Sequence, residues 1–201
     1  VEGEFIKVPM DFEKGNMENI FNREMQNPKA SVFNTVSGIT ERTLRNQILM
    51  SMFDQILDIV YTEKIREDEG GTYGVYSSGS ISRYPEGQTL LQIMYDTDPD
   101  KMSHLNSIVL RELNLIASEG PREGDFSKVK EYLNKSFDES LKENRYWLNA
   151  LNTKYFFNED NHTSYLEIVN SITADDIKKF ASDLLENGDL KTIVMLPVIE
   201  E

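Results

Sequence analysis

The chain has 201 residues, with 21 Lys and Arg against 35 Asp and Glu, and a formal net charge of −14. A hydrophobic content of 39% indicates a folded globular protein rather than a disordered one. The acidic balance repels a phosphate backbone and argues against nucleic acid as a ligand, although excess acid also simply keeps proteins soluble. The absence of cysteine excludes disulfides, thiol catalysis and cysteine-based zinc sites. No apolar run is long enough to cross a membrane.

The N-terminal part of the chain carries two strand patterns after an extended lead-in over residues 1–14. Strands are predicted over residues 19–26 and 29–37, where β-branched and aromatic residues are enriched. In the second of these, Val32, Asn34 and Val36 share one face, and Phe33, Thr35 and Ser37 share the other. Asn27-Pro28 supplies the turn signal between the two strands.

One long helix and a hairpin follow. Thr40 is the predicted N-cap of a helix over about residues 41–65, where two adjacent stripes of apolar residues recur every four positions. Such a wide apolar face predicts a heavily buried helix. Residues 73–84 and 88–95 read as strands around the turn signal Pro85-Glu86-Gly87, which predicts an antiparallel hairpin.

The rest of the chain is predicted to be mostly helical and to end in a buried strand over residues 190–196. In this part of the chain, Asp98 is the predicted N-cap of the first helix. Thr173 begins the last helix with a capping box. Between them, helices are predicted at about residues 125–143, 146–157 and 165–169. The order of elements predicts an α+β fold, with a mostly antiparallel sheet and helices packed on one face, in a single domain over residues 1–201.

The stretch between the long helix and the hairpin carries the most distinctive chemistry. It reads Lys64-Ile65-Arg66-Glu67-Asp68-Glu69-Gly70-Gly71-Thr72-Tyr73-Gly74-Val75. Arg66 and Tyr73 are its strong hydrogen-bonding residues, and the loop between them contains Gly70 and Gly71. This is not a phosphate-binding loop, because the spacing is wrong, no Lys-Ser/Thr pair follows and three acids precede it. A flexible connection with positive φ at glycine is the alternative interpretation.

Motifs for metal-dependent or serine-dependent hydrolysis are absent from the sequence. The chain has two histidines, His104 and His162, and neither H-E-x-x-H nor H-x-x-E-H occurs. No nucleophile-elbow motif is present either. Both histidines are therefore interpreted as ordinary surface or structural residues, and no metal site is predicted.

The stretch from Ile65 to Val75, with its surroundings, resembles the C-terminal, non-zinc half of the insulinase/pitrilysin family of zinc metallopeptidases. That half shows a long helix ending in Leu-Arg, a short acidic and glycine-bearing loop, then Tyr and a strand. Ile65 stands here in place of the leucine. The likeness extends over about residues 19–197. It implies a metallopeptidase-domain-like α+β fold in a C-terminal fragment of a longer, multi-domain bacterial protease, located in the periplasm or cell envelope.

The resemblance also implies a non-catalytic, substrate-binding role in the proteolysis of peptides. Arg66 and Tyr73 would reach a peptide substrate at the active site of the zinc-bearing half, and Gly70 and Gly71 would let a substrate strand approach closely. No zinc ligand carries over, so this domain is expected to bind no cofactor. Zinc is expected in the N-terminal half of the parent protein, on the same chain or on a partner subunit. The isolated chain is therefore expected to be inactive.

Two alternatives stay open at the level of sequence. The parent could be an inactive peptidase-like binding or scaffold module, in which the motif persists only as structure. At the residue level, Arg66 could simply pair with Glu67 or Glu69, and Tyr73 could simply begin a strand.

Overall fold

The computed structural model describes residues 13–70, 72 and 74–198 of the chain. The strands are β1 (Met17–Arg23), β2 (Ala30–Ile39), β3 (Tyr76–Ile81), β4 (Gln88–Thr97) and β5 (Asp189–Pro197). The α-helices are α1 (Leu44–Tyr61), α2 (Met102–Glu119), α3 (Glu123–Ser140), α4 (Asn144–Phe157), α5 (Tyr165–Ser171) and α6 (Ala174–Asn187). A π-helical segment, Thr62–Asp68, continues α1. Most of the predicted N-terminal lead-in lies outside the described residues.

The five strands form one sheet in the order β1-β5-β2-β4-β3. The pairs β2–β4, β3–β4 and β2–β5 are antiparallel, and only the edge pair β1–β5 is parallel. This confirms the predicted α+β class, the β3–β4 hairpin and the final strand. The turn signal at Asn27-Pro28 does not make β1 and β2 neighbours, because β5 inserts between them.

Helix α1 forms the centre of the core behind the sheet. Its side chains Met52, Phe53, Ile56 and Leu57 are fully buried. It contacts β3 and four of the other helices, and the Phe53 ring meets the Phe180 ring of α6 edge-on at 6.4 Å between centroids. Burial of two apolar stripes on one helix explains why α1 needs partners on both sides.

The start of α1 differs from the sequence prediction. Its N-cap is Thr43, whose side chain accepts a hydrogen bond from the Asn46 amide at 3.1 Å. The predicted cap, Thr40, instead donates its backbone N–H to the Gly87 carbonyl at 2.8 Å. Both threonines fit the residue preference for a cap, so only the tertiary contact with the β3–β4 turn separates them.

Two later helices also begin or end away from the predicted positions. Helix α2 starts at Met102 with Lys101 as its N-cap residue, and Asp98 instead binds the Lys29 ammonium at 2.6 Å. Helix α3 runs over Glu123–Ser140 rather than residues 125–143. The capping box of α6 is confirmed, with reciprocal hydrogen bonds between Thr173 and Asp176.

Buried polar residues join the sheet to α2. Asn34 of β2 donates to the Asn106 side chain at 2.8 Å and accepts from the Thr192 hydroxyl at 2.7 Å. The Tyr95 hydroxyl donates to Asn106 at 3.3 Å, and burial raises the pKa of Tyr95. Satisfied polar groups in a core favour a single register, because a slipped strand would leave them without partners.

The surface of the helical layer contains one unusual element. Helix α4 has no buried residue, and its Tyr155 and Phe156 side chains are 81% and 77% exposed. Within the described part of the chain, no helix is both long and apolar enough to span a membrane.

Candidate functional site

The π-helical segment at the end of α1 determines where the predicted site residue Arg66 points. Ile65 is fully buried in the core, whereas Arg66 is exposed. π-Helical turns are rare and occur frequently at functional sites. The sequence could not reveal this one, because Ile65 follows Tyr61 at the four-residue interval that an α-helix would also show.

An ion pair and a polar contact hold the two ends of this segment. Near its start, Glu63 binds the Arg122 guanidinium at 2.8 Å, and hydrogen bonds from Lys64 and Arg122 lower the pKa of Glu63. Just past its end, Glu69 contacts Nε2 of His104 on α2 at 3.1 Å. Arg66 therefore lies between two points of attachment, which limits where its side chain can reach.

The Arg66 side chain has no hydrogen bond or ion pair within the part of the chain that the structure describes. The carboxylate of Glu69 contacts His104 instead, so the proposed Arg66–Glu69 pair does not form. Glu67 is exposed and does not bind Arg66 either. The guanidinium of Arg66 thus presents its donors to whatever approaches this surface.

The loop after the π-helical segment, residues 69–75, is called the motif loop, and the structure describes it only in part. Gly70 has φ +56°, the left-handed region that glycine adopts without strain. Thr72 donates its hydroxyl to the Gly74 carbonyl at 3.2 Å. Gly71 and Tyr73 lie outside the described residues, so the roles assigned to them stay predictions. The strand β3 begins at Tyr76 rather than at Tyr73.

The sheet turns one face toward the helices and leaves the other uncovered by them. The side chains of two residues that lie directly opposite each other on neighbouring strands are on the same face of the sheet. We call the uncovered side the open face. Its central row consists of Asn19, Ile193, Phe33, Met94 and Tyr76. Tyr76 is 59% exposed, and the row crosses all five strands. Four of the five side chains in the row are apolar, and neighbouring apolar side chains on a surface are typical of a contact site.

A shallow cavity of about 350 Å³ lies at one end of the open face. Phe33 and Met94 line it together with Ser31, Asp96 and Gly74. Gly74 belongs to the loop that follows Arg66, so this loop borders the open face. The structure thereby brings the motif region and the sheet surface together, which the sequence alone did not indicate.

Polar contacts fix β3 against α1. The Ser77 hydroxyl lies 2.6 Å from Oδ1 of Asp54 and 2.9 Å from Oδ1 of Asp58. One hydroxyl proton can serve only one carboxylate at a time. Burial, followed by the repulsion of Asp54, raises the pKa of Asp58 against the effect of the Ser77 hydrogen bond. The edge strand next to the motif loop is therefore held to the central helix.

The two histidines are engaged away from each other. His104 contacts Glu69, and Nδ1 of His162 lies 2.7 Å from the Tyr146 hydroxyl with its ring stacked on Phe137. Among the described residues, no three His, Asp or Glu side chains are placed to hold a metal ion. The donor set of these residues does not fit a zinc site, so no chemistry is assigned to a metal in this domain.

A partly buried ion-pair cluster joins the β3–β4 hairpin and Arg42 to the loop after α4. Glu159 accepts two hydrogen bonds from Arg83, at 2.9 and 2.8 Å, and one from Arg42 at 2.5 Å. The Arg83 guanidinium also stacks 3.5 Å from the Phe157 ring centroid. Hydrogen bonding from Arg83, then from Arg42, lowers the pKa of Glu159 to about 2.

Glu159→Gln is expected to lower the free energy of unfolding at pH 7 by about 1–2 kcal/mol, because charge-assisted hydrogen bonds are lost. The folded-state pKa of Glu159 lies below its ordinary value of 4.5, so its contribution is present above pH 4.5 and is lost as the pH falls toward 2. Urea unfolding from pH 7 to 2.5 measures the difference between wild type and variant. A difference in unfolding free energy that stayed constant over this pH range would contradict the stabilising role of the Glu159 carboxylate. Glu167→Gln, on the exposed side of α5, is the matched control.

Comparison with solved structures identifies proteins that share this fold. The chain matches the periplasmic protease PqqL from Escherichia coli with a TM-score of 0.77 and 16% identity, covering 92% of this chain and 21% of that one. It matches a peptidase M16 inactive domain from Pseudomonas fluorescens with a TM-score of 0.78 and 20% identity, covering 98% and 47%. It matches a protease from Helicobacter pylori with a TM-score of 0.77 and 11% identity, covering 96% of this chain and 48% of that one. At these low identities, the TM-scores establish a shared fold and nothing more.

The family follows from the sequence. Residues 2–133 match the Peptidase M16 inactive domain. The chain belongs to this family of non-catalytic peptidase domains, which confirms the resemblance to the insulinase-type proteases. It spans about a fifth of the length of PqqL and about half of the other two structures. A comparison with curated proteins gives no match.

Proposed function

We propose that this chain is the substrate-binding, non-catalytic C-terminal domain of a zinc-dependent metalloendopeptidase. Residues 1–201 would form one domain of the parent, and zinc would be bound by the N-terminal half, on the same chain or on a partner subunit. The observation that carries the proposal is an exposed arginine without a partner in the described chain, at the end of a buried helix, in a domain of the M16 inactive family. A periplasmic or envelope location is proposed from the likeness to PqqL.

Arg66 would hold the peptide backbone near the scissile bond. Negative charge builds on the carbonyl oxygen during amide hydrolysis, and a guanidinium or a tyrosine hydroxyl stabilises such charge by hydrogen bonds. These bonds strengthen when water is excluded between two closed halves. Tyr73 would supply the second donor, and Gly70 and Gly71 would let the peptide approach the loop closely.

The open face would border the space between this domain and the zinc-bearing half. Its apolar row contains Phe33, Met94 and Ile193, which are only half-buried, and Tyr76, which is exposed. A surface of this kind is costly to leave in water and is favourable to cover with a peptide or another domain. The motif loop borders the same face through Gly74.

The isolated chain is expected to show no peptidase activity. Its described residues offer no metal-binding group, and the proposed role is to hold substrate rather than to cut it. The test incubates the purified chain with a quenched fluorescent peptide, with and without added zinc. Hydrolysis that survived a chelator and repurification would contradict the proposal. In the parent protein, peptide binding without any cleavage would instead favour an inactive binding or scaffold module.

A further inference from the structure

The cavity on the open face has a composition suited to one class of side chain. Phe33 and Met94 supply an apolar floor, and the Asp96 carboxylate stands at the edge beside Ser31. The volume of about 350 Å³ exceeds that of any single amino-acid side chain. A long side chain that is apolar along its stem and charged at its end matches both parts of the cavity.

Among the described residues, the Asp96 carboxylate makes a side-chain hydrogen bond through only one of its two oxygens. Its Oδ1 accepts a hydrogen bond from the Ser31 hydroxyl at 2.6 Å, which orients the carboxylate on the open face. Asp96 makes no ion pair within the described residues. Lys29, two positions before Ser31, binds Asp98 at 2.6 Å. An oriented, exposed carboxylate beside an apolar floor is a recognition element for a cation rather than for an anion.

The cavity is placed where a peptide held by the motif loop would pass. Gly74 of that loop lines the cavity, and the register of β3 and β4, Tyr76 with Met94, brings Gly74 opposite Asp96 when it is continued by two residues. A Cβ built on Gly74 would meet no atom within 4 Å, so the loop faces open space at this position.

We propose that this cavity is a specificity subsite that binds a lysine or arginine side chain of the peptide substrate, with Asp96 as the residue that selects the charge. The inference rests on the proposed function, because it assigns a preference to the peptide that this domain would bind. The methylene stem packs on Phe33 and Met94, and the cationic end reaches the free oxygen of Asp96. Acidic side chains are repelled from the same position.

The test measures peptide affinity of the full-length parent by fluorescence anisotropy, with zinc removed by a chelator so that the peptide is not cut. A neutral host peptide carries one lysine, moved through each position in turn, and a norleucine series of the same length is the reference. Lysine at one position is expected to bind about tenfold more tightly than norleucine there. Asp96→Asn, which keeps an acceptor for Ser31, is expected to remove this preference and leave the norleucine peptide unchanged. Asp100→Asn, which removes an exposed charge nearby, is expected to retain the preference.

The outcomes separate the subsite from the function on which it rests. If lysine helps equally at all positions, or if Asp96→Asn and Asp100→Asn act alike, the attraction is that of a chain with net charge −14, and the subsite is overturned. If Arg66→Ala weakens the neutral peptide but no lysine preference exists, the proposed function stands and the subsite falls. Absence of binding by every peptide would overturn both.

Discussion

In the full-length parent protein, Arg66→Ala and Tyr73→Phe are each expected to lower kcat on the order of 10²–10³. The reason is the loss of a donor to the charge that develops on the substrate, at a site from which water is excluded. Zinc content is expected to remain normal, because neither residue is proposed to bind the metal. Steady-state kinetics on a quenched peptide, with metal analysis of the same samples, measures both quantities.

Arg111→Ala is the matched control for this prediction. Arg111 is an exposed arginine of α2 that pairs with the adjacent Glu112. It is expected to leave turnover unchanged. If both Arg66→Ala and Tyr73→Phe retained wild-type turnover, the assignment of the pair to substrate binding would be wrong.

Phe53→Ala is expected to lower the free energy of unfolding by about 3–5 kcal/mol, because it opens a cavity at the centre of a packed core. Phe53 is fully buried in α1 and meets Phe180 of α6, so neighbours on several elements cannot all collapse into the space. Urea unfolding followed by circular dichroism measures the change.

The same substitution on the surface provides the control. Phe156 of α4 is 77% exposed, and Phe156→Ala is expected to change stability by less than about 0.5 kcal/mol. Equal effects of the two substitutions would contradict the position of α1 as the central helix. A small effect of Phe53→Ala alone would show that the core can repack around this site.

Local sequence patterns predicted the elements well where each pattern had one physical solution. The apolar stripes of α1 and the Thr173 capping box depend on residues a few positions apart, and the structure confirms them. The choice of Thr43 over Thr40, and the use of Asp98 to bind Lys29, depend on contacts with distant parts of the chain. The preference of a residue type for the N-cap position cannot decide between such alternatives.

The existence of the strands was easier to predict from the sequence than their order in the sheet. A turn signal between β1 and β2 suggested neighbours, yet β5, from the other end of the chain, lies between them and pairs in parallel with β1. Side-chain alternation determines which face is buried but not which strand lies alongside. The order of the strands is therefore information that only the tertiary structure supplies.

For the candidate site too, local sequence patterns were predictable and tertiary arrangements were not. The motif around Arg66 was found because charged and glycine-rich residues interrupt a long apolar helix. The π-helical segment, the open face and the proximity of Gly74 to Asp96 were not found, because each depends on backbone geometry or on register between distant strands. Asp96 gave no sequence signal beyond a charged residue near a strand end.

The most direct test of the account is a zinc analysis of the purified full-length parent, with any partner subunit, alongside its peptidase activity. The account predicts about one zinc for each pair of halves, and peptide hydrolysis that is lost on chelation and restored by zinc. It also predicts that an Arg66→Ala parent retains the metal while turnover falls. A parent that contained no zinc and cut no peptide would contradict the central claim.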